Sequence, residues 1–178
     1  MNKNILAFGA SSSVHSINKK FATHAAHLAV ENQTILDLND FEMPIFSVDR
    51  EKANGIPEEA NVFKEHIRNA DGIIISFAEH NGSFAAAYKN IFDWVSRIEK
   101  DVWLNTPMLL LASSPGGRGG KSVLNHAFTI YSYGNENVVG HFSLPAFYDN
   151  FNEELGIVDP TLKAQFLDKI EAFKEALR

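Results

Sequence analysis

The chain has no cysteine. Disulfides, iron–sulfur clusters, thiol catalysis and a cysteine-ligated zinc are therefore excluded, and any redox chemistry must come from a bound cofactor. It also lacks a basic run. Sixteen Lys and Arg stand against 22 Asp and Glu, a formal charge of −6, and no cluster could follow a phosphate backbone or an anionic lipid surface, so neither nucleic acid nor membrane is an expected partner. Long apolar runs are missing as well. The first, residues 5–8, is too brief for a signal-peptide core, and none approaches the length that spans a bilayer. A cytoplasmic protein is the default expectation. No set of residues has metal-ligand spacing, and no metal is expected.

What is present suits one compact core. The 178 residues, 45% of them hydrophobic, read as a single domain over 1–178. Four short stretches, residues 5–8, 73–77, 108–112 and 138–144, are nearly continuously apolar, and a weaker one covers 34–38. Continuous apolarity is the mark of strands covered on both faces, as in a parallel sheet between helical layers. Ile17, Phe21, Ala25 and Leu28 repeat at helical spacing, residues 85–98 are helix-compatible, and Leu162, Phe166, Ile170, Phe173 and Leu177 stripe a closing helix. Strands alternating with helices predict a doubly wound α/β fold with right-handed crossovers. Residues 41–55 and 148–160 carry no clear element. Met43-Pro44-Ile45-Phe46 gives the first of them apolar groups suited to packing on a ligand, on a neighbouring subunit or on its own domain.

In such a sheet, ligands bind beyond the carboxyl ends of the strands. The first strand runs into GASSSVHSIN (9–18), a hydroxyl-rich turn entering a helix. Its N–H groups favour a phosphate, with Ser11, Ser13, Ser16 and Asn18 as side-chain donors and Ile17 in the first turn, although Ser and Asn also serve as ordinary helix caps. After the third strand comes AEHNGSF (78–84), where Ala78, Glu79, His80, Asn81 and Gly82 offer close backbone approach and amides to the edge of a heterocycle. After the fourth comes SSPGGRGGK (113–121). Ser113, Ser114, Gly116, Gly117, Arg118 and Gly119 form a stretch nearly bare of side chains, able to lie flat on a ring or to act as a plain flexible loop. Three strand ends thus offer phosphate and ring contacts that suit a mononucleotide.

Two nucleotide motifs are excluded. Gly120-Lys121-Ser122 resembles the end of a P-loop, but the required first glycine falls at Pro115, and no Gly-x-Gly-x-x-Gly run occurs.

At these residues the chain resembles the NADPH-dependent FMN reductase family, flavodoxin-like enzymes that include quinone, azo-dye and chromate reductases. The family's Gly-Ser-x-Arg-x-x-Ser-x-Asn loop is matched at Ser11, Ser16 and Asn18, with Ala10 for Gly and Ser13 for Arg. Its Pro-Glu-Tyr-Asn-Gly-Ser motif and following helix are similar to Glu79, Asn81, Gly82, Ser83, Lys89, Asn90, Asp93 and Trp94, with Ala78 for Pro and His80 for Tyr. The resemblance implies a flavodoxin-like five-stranded parallel sheet of order 2-1-3-4-5 with helices on both faces. It implies FMN as cofactor, NADPH or NADH as hydride donor, and a quinone or similar small molecule as acceptor. It also implies homodimers or homotetramers, with the 89–94 helix associated with subunit packing. No catalytic side chain is required, since the flavin carries the chemistry, and His80 is the one candidate proton shuttle. The rival reading is a flavodoxin-type electron carrier, or an FMN-binding protein without reductase activity.

Overall fold

A computed structural model describes residues 3–178. Five parallel strands, β1 (Asn4–Ala10), β2 (Asn32–Leu36), β3 (Gly72–Phe77), β4 (Met108–Ser113) and β5 (Val138–Leu144), form one sheet in the order β2-β1-β3-β4-β5. Their apolar runs follow from burial on both faces. Along β1, Leu6, Phe8 and Ala10 enter one core while Ile5 and Ala7 enter the other; β3 and β4 alternate in the same way. On the first face lie α2 (Val48–Asn54), α3 (Glu58–Arg68), α4 (Ala86–Ile98) and α5 (Lys121–Gly134). On the second lie α1 (Ile17–Ala29) and α6 (Pro160–Ala176). No helix among the described residues is long and apolar enough to cross a membrane.

Local chemistry sets the helix ends. Ser16 Oγ accepts from Lys19 N at 3.1 Å to start α1, and Asp159 accepts from Leu162 N at 2.8 Å to start α6, with Pro160 at its first position. Gly9 matters for where α1 can lie. A Cβ at residue 9 would fall 2.3 Å from Lys19 N, so only glycine lets the first turn of α1 rest against the end of β1.

Several expectations are corrected. The second strand covers Asn32–Leu36 rather than 34–38, because Asp37 turns the chain into a short 3-10 helix, Leu38–Phe41, by accepting from Asn39 N at 3.0 Å. The stretch 41–55 contains α2, which buries no residue and so has no apolar stripe to announce it. The stretch 148–160 holds a two-stranded ribbon, Phe151–Asn152 with Gly156–Ile157, too short for any periodicity to register.

Within the chain, two positions of the 89–94 helix hold the stretch 43–46. Asn90 Nδ2 donates to Met43 O and Pro44 O, and its Oδ1 accepts from Phe46 N at 2.8 Å. Trp94, only 1% exposed, donates from Nε1 to Pro44 O at 2.7 Å and meets the Phe46 ring edge-on. These two side chains strap residues 43–46 onto α4 of the same chain. Lys89 and Asp93 pair with each other on the surface at 2.6 Å.

Candidate functional site

The direction of winding reverses between β1 and β3, whose crossovers leave to opposite sides, and there the strand ends open a crevice. A cleft of about 230 Å³ lies over it. Its walls are Ser11, Ser13, His15, Ser16, Ile17 and Asn18 from the first loop, Ala78, Glu79 and His80 from the second, Ser113, Ser114 and Pro115 from the third, and Tyr148.

The first wall is built to donate. Ser11 Oγ accepts from Ser13 N at 3.1 Å and Ser16 Oγ accepts from Lys19 N, so each hydroxyl keeps its own hydrogen for a ligand. The N–H groups of Ile17 and Asn18 are in the first turn of α1, where no intrahelical partner exists. The lining contains no Lys or Arg. Lys19 turns away to Asp37 at 2.5 Å, and this bond, followed by the Asn39 N–H, holds the Asp37 carboxyl below its ordinary range.

Two candidates contribute differently from the sequence reading. Asn18 is 3% exposed, and its side chain is turned to the strand ends: Oδ1 accepts from Ser76 Oγ at 2.7 Å and Ser113 N at 2.9 Å, while Nδ2 donates to Ser113 O at 3.1 Å. What it can offer an anion is its backbone N–H. Glu79 Oε2 accepts from Val123 N at 3.0 Å. Because the residue before α5 is Gly120, with no side chain, Glu79 caps that helix from another loop and ties the second wall to the third.

Asn81 and Gly82 do not line the cleft. They form the tight turn of a small hairpin, Glu79–His80 with Ser83–Phe84, with φ of 52° and 78°, the left-handed values an Asn-Gly hairpin turn requires. His80 is exposed on it.

The glycine loop divides. Gly116 and Gly117 follow Pro115 with nothing within 4 Å of where a Cβ would stand, so bare backbone faces open space. Gly119 is packed inward, its carbonyl accepting from Ser143 Oγ at 2.9 Å, and Arg118 donates to Ser122 Oγ at 2.6 Å. None of these four residues lines the cleft.

His15, Pro115 and Tyr148 are lining residues that were not among the candidates. The first two lay inside motifs already singled out. Tyr148 lay in a stretch without pattern, and only its place just beyond the fifth strand pointed to the same edge. Among the described residues, no group of three or more His, Asp or Glu could hold a metal ion.

The donor set fits a flavin mononucleotide. Hydroxyls and helix N–H groups match a phosphate, and the hairpin and bare glycine backbone can border a flat ring.

The family described as NADPH-dependent FMN reductase matches residues 3–149. The quinone reductase of Escherichia coli (strain K12) is 33% identical over 85 residues, which are 48% of this chain and 45% of that protein. The chain thus aligns with about half the length of that relative. The NADPH:quinone oxidoreductase of Arabidopsis thaliana is 30% identical over 138 residues, 74% of this chain and 69% of that one. Among solved structures, the flavoenzyme NAD(P)H:(acceptor) oxidoreductase FerB from Paracoccus denitrificans aligns with a TM-score of 0.76 at 19% identity, covering 98% of this chain and 97% of the other. That likeness concerns the flavodoxin-like fold.

Proposed function

We propose, for a chain that belongs to the NADPH-dependent FMN reductase family, that the cleft binds FMN and that the protein passes hydride from NADPH or NADH to a quinone or similar small acceptor, free flavin included. The observation that carries this reading is the convergence of three loops on one cleft at the sheet edge, with donors for a phosphate at one end and the bare backbone of Gly116 and Gly117 following Pro115 at the other. When bound, FMN would supply the hydride chemistry.

The chain's own residues bind and orient. The phosphate end is served by the hydroxyls of Ser11 and Ser16, the Ser13 region and the N–H groups of Ile17 and Asn18, all neutral donors strengthened by the helix dipole. Ser13, where the family has Arg, leaves this end without a cation. The ring end is bordered by Ala78, Glu79 and His80 on one side, with Asn81 and Gly82 turning the hairpin just outside the cleft. On the other stand Ser113, Ser114, Gly116 and Gly117, with Arg118 and Gly119 completing the loop. His80, exposed on its hairpin, can exchange a proton between solvent and a reduced acceptor. We read the protein as one domain, cytoplasmic, and a homodimer or homotetramer. Support for assembly comes from three apolar side chains exposed near the strand ends, Val14 (77%), Ile45 (74%) and Tyr148 (71%).

The test is anaerobic. FMN-reconstituted protein is mixed with NADPH and with NADH, and its visible flavin absorbance is followed. Bleaching by at least one donor, reversed by a quinone, is expected. A bound flavin that neither dinucleotide bleaches overturns the reductase reading in favour of an electron carrier.

A further inference from the structure

The cleft does not end at the first loop. His15 and Ser16 line it and also line a second groove, of about 400 Å³, along the exposed face of α1. Positions 16, 20, 24 and 27 recur at helical spacing, which sets Lys20, His24 and His27 in one stripe below Ser16. Phe151 and Glu153, from the connection after β5, form the opposite wall.

The charges in this groove are unequal. Lys19 is committed to Asp37, across the helix. Lys20 pairs only with Glu153, and the two side chains are 46% and 71% exposed. An ion pair so open to water is weak, and an entering phosphate can displace the carboxylate. His24 stacks on the buried Phe166 at 6.0 Å and meets Phe151 edge-on at 5.3 Å, so the His24 and Phe151 rings stand perpendicular to each other in the groove. Burial, then the charges of His27 and Lys163, lower its pKa.

We infer that this groove takes the adenosine diphosphate half of the reduced dinucleotide, with Lys20 at the phosphates and the base set in the corner between the perpendicular His24 and Phe151 rings, while the nicotinamide passes over His15 into the cleft. The inference rests on the donor reading above.

The experiment titrates ADP calorimetrically into FMN-saturated protein, so that the first loop is already filled, and repeats the titration with Lys20→Gln and Glu153→Gln. Lys20→Gln should weaken ADP about tenfold, the loss of one charge-assisted contact, while Glu153→Gln should tighten it severalfold by freeing Lys20. Reduced nicotinamide mononucleotide, which lacks the adenosine half, should reduce the flavin with the same apparent affinity in all three proteins. ADP affinity that neither substitution moves, or an equal effect on the mononucleotide, overturns the assignment. Bleaching of the wild-type flavin by the mononucleotide tests the reductase reading separately.

Discussion

The cleft has an open surface and a buried layer beneath it, and the two use polar residues in opposite ways. Along the cleft, Ser11 and Ser16, though only 7% and 6% exposed, keep hydrogens to donate, and Gly116 and Gly117 leave space beside it. Underneath, Asn18, Ser76 and Ser113 are nearly or fully buried and bonded to one another, while Ser113 Oγ also donates to Leu144 O at 2.8 Å. That network joins α1 to the ends of three strands. The most distinctive polar residues of the motifs thus build the walls, and the plainer ones face the cleft.

Asn18→Ala is the strongest way to break this division. It leaves the N–H and C=O of Ser113 and the hydroxyl of Ser76 buried without their partner, at about 1–3 kcal/mol for each unsatisfied group before relaxation or water entry. We expect a loss of roughly 3 kcal/mol in urea unfolding, with flavin retention falling as the strand ends separate. A variant of unchanged stability that merely binds FMN less tightly would place Asn18 on the open surface after all.

Asn90→Ala comes next. Met43 O and Phe46 N lose their partner while Pro44 O keeps Trp94 Nε1, and the site is only part-buried, so water can replace some of the contact. About 1–2 kcal/mol is expected, with faster amide exchange at Phe46, whose N–H bonds to Asn90. Glu79→Gln should be milder. The amide oxygen can still accept from Val123 N, and only the charge at the start of α5 is lost, about 0.5 kcal/mol, measurable by urea unfolding at low salt. Flavin affinity should hardly change. A large loss of FMN would show Glu79 facing the ring rather than the helix.

The sheet was legible because burial on both faces writes itself into the sequence as apolar runs, as at residues 73–77 and 108–112; alternation with helices made it doubly wound, and the strand order came with the family resemblance. The loops of the site were legible from the positions of Ser11, Ser16 and Gly116 after those runs. Elements that bury little were not: α2 has no inward side chain, and Tyr148 lies in a stretch without periodicity. Nor could the motif say which way Asn18 and Glu79 turn. That depends on contacts with Ser113 and Val123, 95 and 44 residues away in the chain. Even the hairpin at 79–84 carried its signal, the Asn81-Gly82 pair, but the strands beside it are two residues each.

The same contrast extends to acid. His24 on α1 and His141 on β5 are partly buried, and burial first, then neighbouring cations, lowers the pKa of each from about 6.5. The folded protein therefore resists protons that the unfolded chain accepts. Stability from these two residues is fully present above pH 6.5, declines as the pH falls through that value, and levels off below their lowered folded values. The carboxylates act later. Asp37 and Asp71 are held below 3.8 and Glu99 and Glu153 below 4.5 by their hydrogen-bonded partners, so their contribution disappears only as the pH falls from those values through the folded ones. Melting temperature followed from pH 8 to pH 3 should accordingly fall in two separate windows. His24→Gln should shrink the upper window and leave the lower one in place. If instead the upper window persists unchanged in a His24→Gln, His141→Gln double variant, the imidazoles beneath the surface are not the groups that make the fold sensitive to mild acid.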